Sequence, residues 1–64
     1  MKAYIVEENL GYGGSSATCD TPEYVYDILK DEYNNALNIK KWCETANVGD
    51  VYFDGTLTIY ADEM

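Results

Sequence analysis

Twelve carboxylates, four lysines and two cysteines, with no histidine and no arginine, make up the reactive side chains of this 64-residue chain. Without histidine the usual general acid–base group is missing, and without arginine there is no planar fork to clamp an anion. Ser15 and Ser16 have no histidine to activate them, so a lysine base is the one route to a serine nucleophile. Cys19 precedes Asp20, whose charge works against a thiolate. Glycosidase-type carboxylate pairs need a cleft that holds a sugar, and a chain this short has little core to spare for one. These residues predict no enzymatic turnover and no cofactor.

The remaining small motifs point the same way. The stretch "GYGGSS" at 11–16 lacks the GK[ST] ending of a phosphate loop and leads towards Asp20 and Glu23 rather than a lysine. It reads as a glycine/serine turn. Asp50, Asp54 and Asp62 lack the one-three-five acid spacing of a calcium loop, and the segment between them reads as strand. Cys19 and Cys43, with no CxxC and no histidine, suit neither a zinc site nor a thioredoxin-type pair. The first residues, "MKAYIVEENLGYGG", have too short an apolar run for a signal peptide. A reducing cytosol and two free thiols follow as the expectation. No run approaches the length of a membrane span.

The acids are not evenly spread. Asp20, Glu23, Asp27, Asp31 and Glu32 fall within thirteen positions that contain one lysine, Lys30, and Tyr24, Tyr26 and Tyr33 lie among or just after them. Glu23, Asp27 and Asp31 stand at i, i+4 and i+8. A helix running through them would carry one stripe of anions, each about 6 Å further along the axis. Asp20 extends that stripe and Glu32 flanks it. Such a row is similar to the phosphates along one nucleic-acid strand and would attract a surface of lysines and arginines by the same counterion release. A merely solvated helix face also carries charge, and only binding separates the two readings. The net charge of −8 repels free nucleic acid and anionic membranes and speeds encounter with a basic protein.

The elements that must position these residues form a single domain over 1–64. "KAYIVEE" reads as a strand, and "SATC" as a short second strand returning from the glycine turn. Thr21 is a good N-cap, Pro22 suits the first helical position, and Glu23 and Asp27 sit where the helix dipole favours anions. Inward positions are Val25, Ile28 and Leu29, continuing to Ala36 and Leu37. Asn34, Asn35 and Asn38 weaken the helix, so that it kinks or stops there and "IKKWCETA" forms a second, shorter helix with Lys40 and Lys41 towards its C-terminal end. "NVGDVYFDGTLTIYADE" reads as a hairpin about Asp54-Gly55. A two-residue turn there would set Val51 and Phe53 on the face of Thr56 and Thr58. A three-residue loop, with a glycine bulge, sets Val51 with Leu57 and Ile59. One uniform apolar face favours the second, leaving Asp50, Tyr52, Thr56, Thr58 and Tyr60 on the opposite face. The fold class expected is α+β, β-(β)-α-β-β: a small antiparallel sheet of three or four strands with one or two helices on one face.

In size, acidity and aromatic content the chain resembles small phage-encoded inhibitors of bacterial defence, such as anti-CRISPR and anti-restriction proteins. The resemblance is one of character and rests on no motif. It implies a stoichiometric inhibitor in a bacterial cytoplasm that occupies the nucleic-acid-binding surface of a host protein. The residues expected to meet that basic partner are Asp20, Glu23, Asp27, Asp31 and Glu32, with Tyr24, Tyr52 and Tyr60 as aromatic anchors. The alternative is a structural or assembly domain that self-associates through a tyrosine-rich sheet face.

Overall fold

Strand β1 (Lys2–Leu10) opens with an apolar run of β-branched and aromatic residues, and successive side chains of a strand alternate in direction, so Tyr4 and Val6 point to one side while Ile5 and Glu7 point to the other. The computed structural model describes residues 2–10 and 13–63. The tip of the expected glycine turn, at 11 and 12, lies outside the described residues. Its flank is strand rather than loop: β2 (Gly13–Cys19) is seven residues long and pairs antiparallel with β1, Tyr4 opposite Cys19 and Glu7 opposite Ser16.

Helix α1 (Pro22–Leu29) starts as its sequence dictates. Thr21 is extended, and its hydroxyl accepts the Tyr24 N–H at 3.1 Å. It stops five residues before the asparagines. Leu29 is the last helical residue, and its carbonyl accepts from Glu32 (3.1 Å) and Tyr33 (2.9 Å). Asp31, Asn34 and Asn35 have side chains that compete for backbone hydrogen bonds and favour turns over helix interiors. The tight exit turns Tyr33 back onto the sheet. Helix α2 (Ala36–Thr45) then starts afresh, and at ten residues it is the longer of the two.

The restart resets the helical phase. Val25, Leu29 and Ala36 are buried and Ile28 packs against the core, but Leu37 is exposed rather than inward. Helix α2 buries Ala36, Ile39 and Cys43 instead, at i, i+3 and i+7 of its own period. Lys40 and Lys41 fall in the middle of α2, with no basic residue in its last turn.

Strands β3 (Val51–Phe53) and β4 (Leu57–Glu63) complete an antiparallel sheet of order β2-β1-β4-β3. Their register corrects the expected one. Val51 pairs with Tyr60, Tyr52 with Ile59 and Phe53 with Thr58. The loop is Gly55-Thr56, closed by Asp54 N–H to Leu57 O at 3.2 Å. Gly55 has φ +98° and Thr56 does not share it, the pattern of a II′ turn with glycine first. The Asp54 carboxylate fixes this choice by accepting the N–H groups of Thr56 (3.2 Å) and Leu57 (2.9 Å). A loop of two residues in place of the expected three shifts the register by one, and that flips every β3 side chain. Tyr52 therefore lies on the face of Ile59, while Val51 and Phe53 lie on the face of Thr58 and Tyr60.

The fold is thus a four-stranded antiparallel sheet with both helices on one face. The core lies between the layers: Tyr4, Val6, Cys19, Leu57, Ile59 and Ala61 from the sheet, and Val25, Leu29, Ala36, Ile39 and Cys43 from the helices. Among the described residues no helix is long and apolar enough to cross a membrane.

Candidate partner-binding surfaces

The acids of α1 and its exit turn share the exposed side of the helical layer. Asp20 is exposed at the bend before the N-cap, and Glu23 occupies the first turn. Asp27 follows Glu23 one turn later, so those two carboxylates form the expected row. Asp31 does not extend it helically, because α1 has already ended. It sits with Glu32 in the turn between the helices, and both are exposed. Asp27 is also partly spent: Lys30 Nζ lies 3.0 Å from its Oδ1, and this contact raises the Lys30 pKa. The structure therefore holds a bent anionic band from Asp20 to Glu32 in place of a straight stripe.

The tyrosines divide by role. Tyr4 is buried, and its hydroxyl donates to the Cys43 carbonyl at 2.9 Å. Tyr33 donates to Glu8 Oε2 at 3.1 Å, and burial, with that bond, pushes its pKa up to about 12. Tyr52 stacks at a tilt on Trp42, ring centroids 5.6 Å apart, and donates to Asp54 Oδ2 at 3.1 Å while accepting from Asn35 Nδ2 at 3.3 Å. Burial raises the Tyr52 pKa, and the bond to Asp54 adds to it. With Lys2 Nζ donating to the Ala46 carbonyl at 2.6 Å, these contacts tie the helical layer to the sheet. Among the described residues two tyrosines are left exposed: Tyr24 on α1 and Tyr60 on β4. The expectation that Tyr52 and Tyr60 share a surface is corrected. They lie on opposite faces of the sheet, because the loop has two residues and not three.

The hairpin tip is held by Asp54. Burial opposes ionisation of its carboxyl, but the N–H groups of Thr56 and Leu57 and the hydroxyls of Tyr52 and Thr56 outweigh it and lower the pKa. Asp54 is thus committed to the fold.

The thiols are free and buried. Burial, followed by the nearby Cys19, pushes Cys43 up to about 12, and burial followed by Asp20 raises Cys19. Neither presents a ready thiolate. Among the described residues no cluster of three or more histidine, cysteine or acidic side chains is placed to hold a metal ion.

Sequence reasoning missed one surface. On the side of the sheet away from the helices, Ile5, Val51, Phe53 and Tyr60 project outward, with Phe53 65 % and Val51 53 % exposed. The signal was present in Asp54-Gly55-Thr56, where an aspartate can accept the N–H groups two and three residues on and so set a two-residue loop at Gly55-Thr56.

No family model, no curated protein and no solved structure matches this chain.

Proposed function

We propose that the chain is an acidic protein-binding module that engages a basic surface of another protein, as an inhibitor occupying a nucleic-acid-binding site would. One observation carries this reading. Asp20, Glu23, Asp27, Asp31 and Glu32 form an exposed band in which the lone cation, Lys30, is tied to Asp27. An uncompensated band of this kind is electrostatically complementary to a surface that binds phosphates. Tyr24, exposed within the band, supplies an amphipathic anchor. The proposal includes no catalysis by the chain itself. Self-association through the sheet, the second reading, would have to use Tyr60 with Ile5, Val51 and Phe53, because Tyr52 faces the helices.

The test is capture from bacterial lysate at low and high salt, followed by affinity measurement with the partner recovered. Neutralising Glu23, Asp27 and Asp31 (E23Q/D27N/D31N) should weaken that partner steeply and flatten its salt dependence. An equal charge change spread over three elements, at Glu7, Glu44 and Glu63, should do much less. Equal losses from both triples would show that net charge alone acts, and the band would then have no special role.

A further inference from the structure

We propose that the helix-free face of the sheet is a separate docking surface, and that its occupant is another protein presenting an apolar centre rimmed by lysine or arginine. The inference goes beyond the acidic band and uses none of its residues. The register aligns Thr18, Ile5, Tyr60 and Val51 in one row across the four strands, and Ser16, Glu7, Thr58 and Phe53 in the next. Val51 and Phe53, two positions apart on one strand, stand about 7 Å from each other on the same face. Single exposed apolar residues are ordinary. Here a phenylalanine, a valine and a tyrosine adjoin one another, exposed by 65 %, 53 % and 39 %, with Ile5 beside them. The core cluster of the fold lies on the other side of the sheet, and only Ala3 and Thr58 among the described residues are buried on this one.

Charge selects the occupant. The outward positions carry two carboxylates: Glu7, opposite Thr58 in the Phe53 row, and Asp62, next to Tyr60 along the same face of β4. They carry no cation. Lys2 reaches the Ala46 carbonyl on the helix side, Lys30 follows α1, and Lys40 and Lys41 lie on α2. A second copy packed face to face would enclose four carboxylates without one positive charge, and unpaired buried charges are costly. A partner with an apolar centre and a basic rim fills the patch and pairs both acids. Phe53, on the short edge strand β3, is the side chain placed to enter a pocket on that partner.

The test is an amide-shift titration of the full chain with two synthetic amphipathic peptides of about 18 residues. Both carry a Leu/Phe stripe, flanked by lysines in one and by glutamates in the other. The lysine-flanked peptide should saturably shift Ile5, Val51, Phe53 and Tyr60, and the glutamate-flanked one should not. Phe53→Ser should weaken binding about tenfold, with Tyr60→Ser as a second variant. E23Q/D27N/D31N should keep the shifts on the sheet, so failure of the acidic band leaves this site standing and the reverse also holds. The proposal is overturned if the shifts fall only on α1 and the turn after it, if Phe53→Ser leaves the affinity unchanged, or if neither peptide saturates. Sedimentation showing a wild-type dimer that Phe53→Ser abolishes would assign the face to a second copy and overturn the occupant named here.

Discussion

The two faces of this molecule solve opposite problems with the same residue types. On the helical side aromatics are held: Tyr4, Tyr33 and Tyr52 each donate a hydroxyl hydrogen bond within the fold, and the carboxylates of Glu8 and Asp54 receive two of them. On the bare side of the sheet, Tyr60, Phe53 and Val51 face solvent, and Glu7 and Asp62 stand beside them. A residue's type therefore does not tell whether it serves the fold or a partner. The strand register does, because a shift of one position exchanges the two roles.

The contrast is sharpest in stability. Ile59 and Phe53 lie on neighbouring strands, one fully buried under the helices and one exposed beyond them. Ile59→Ala should cost about 2–4 kcal/mol, a large share of what so small a domain holds. Phe53→Ser should cost less than ~1 kcal/mol, the range of strand-surface changes. Urea midpoints of the two variants check this. If Phe53→Ser proves as costly as Ile59→Ala, the sheet face is not open and the two sides are not different in kind.

Much of the fold can be read from particular residues. Thr21-Pro22 announces α1, the β-branched and aromatic run of "KAYIVEE" announces β1, and Asp54-Gly55 announces a hairpin. These are local signals, each satisfied within a few residues. What could not be read depended on position relative to a distant element. Where α1 ends, at Leu29, is tied to Tyr33 reaching Glu8 on β1, 25 residues earlier. The exposure of Leu37 follows from that same break in phase. The acids of the candidate band were legible individually, since charge marks them. The apolar surface was not, because Ile5, Val51 and Phe53 look like core until the hairpin register is known.

Asp54 sets that register, so it gives a smaller but more specific way to break the comparison. Asp54→Ala removes the acceptor for Thr56 N–H, Leu57 N–H and the Tyr52 hydroxyl, and should cost about 1 kcal/mol. The pH dependence has a definite sign. The carboxyl is held below its ordinary value of 3.8 in the folded chain, so its contribution is present above that value and is lost as pH falls through the folded one. Urea midpoints of wild type and Asp54→Ala should differ at neutral pH and converge below pH 3.8. A gap that persists in strong acid would mean that Asp54 holds the turn without its charge, and no gap at neutral pH would mean that Gly55 alone sets it, since its φ of +98° suits the same II′ geometry.

The smallest expected effect belongs to the acidic band itself. The structure leaves one i, i+4 repulsion in it, between Glu23 and Asp27, because Asp31 lies beyond the helix end. Relieving that repulsion stabilises a helix by about 0.2–0.5 kcal/mol. Against it stand the lost interaction of Glu23 with the helix dipole and the lost surface pair of Asp27 with Lys30, and exposed pairs of that kind contribute little. The terms nearly cancel, so E23Q/D27N/D31N should shift the unfolding free energy by less than ~0.5 kcal/mol. Thermal and urea unfolding at low and moderate salt check this. A near-zero result leaves the band with no folding role, as a surface reserved for a partner requires. A loss well above that bound would show that the acids hold α1 and its exit turn in place, and their clustering would then be explained by the fold on the helical side, as the three bonded tyrosines already are.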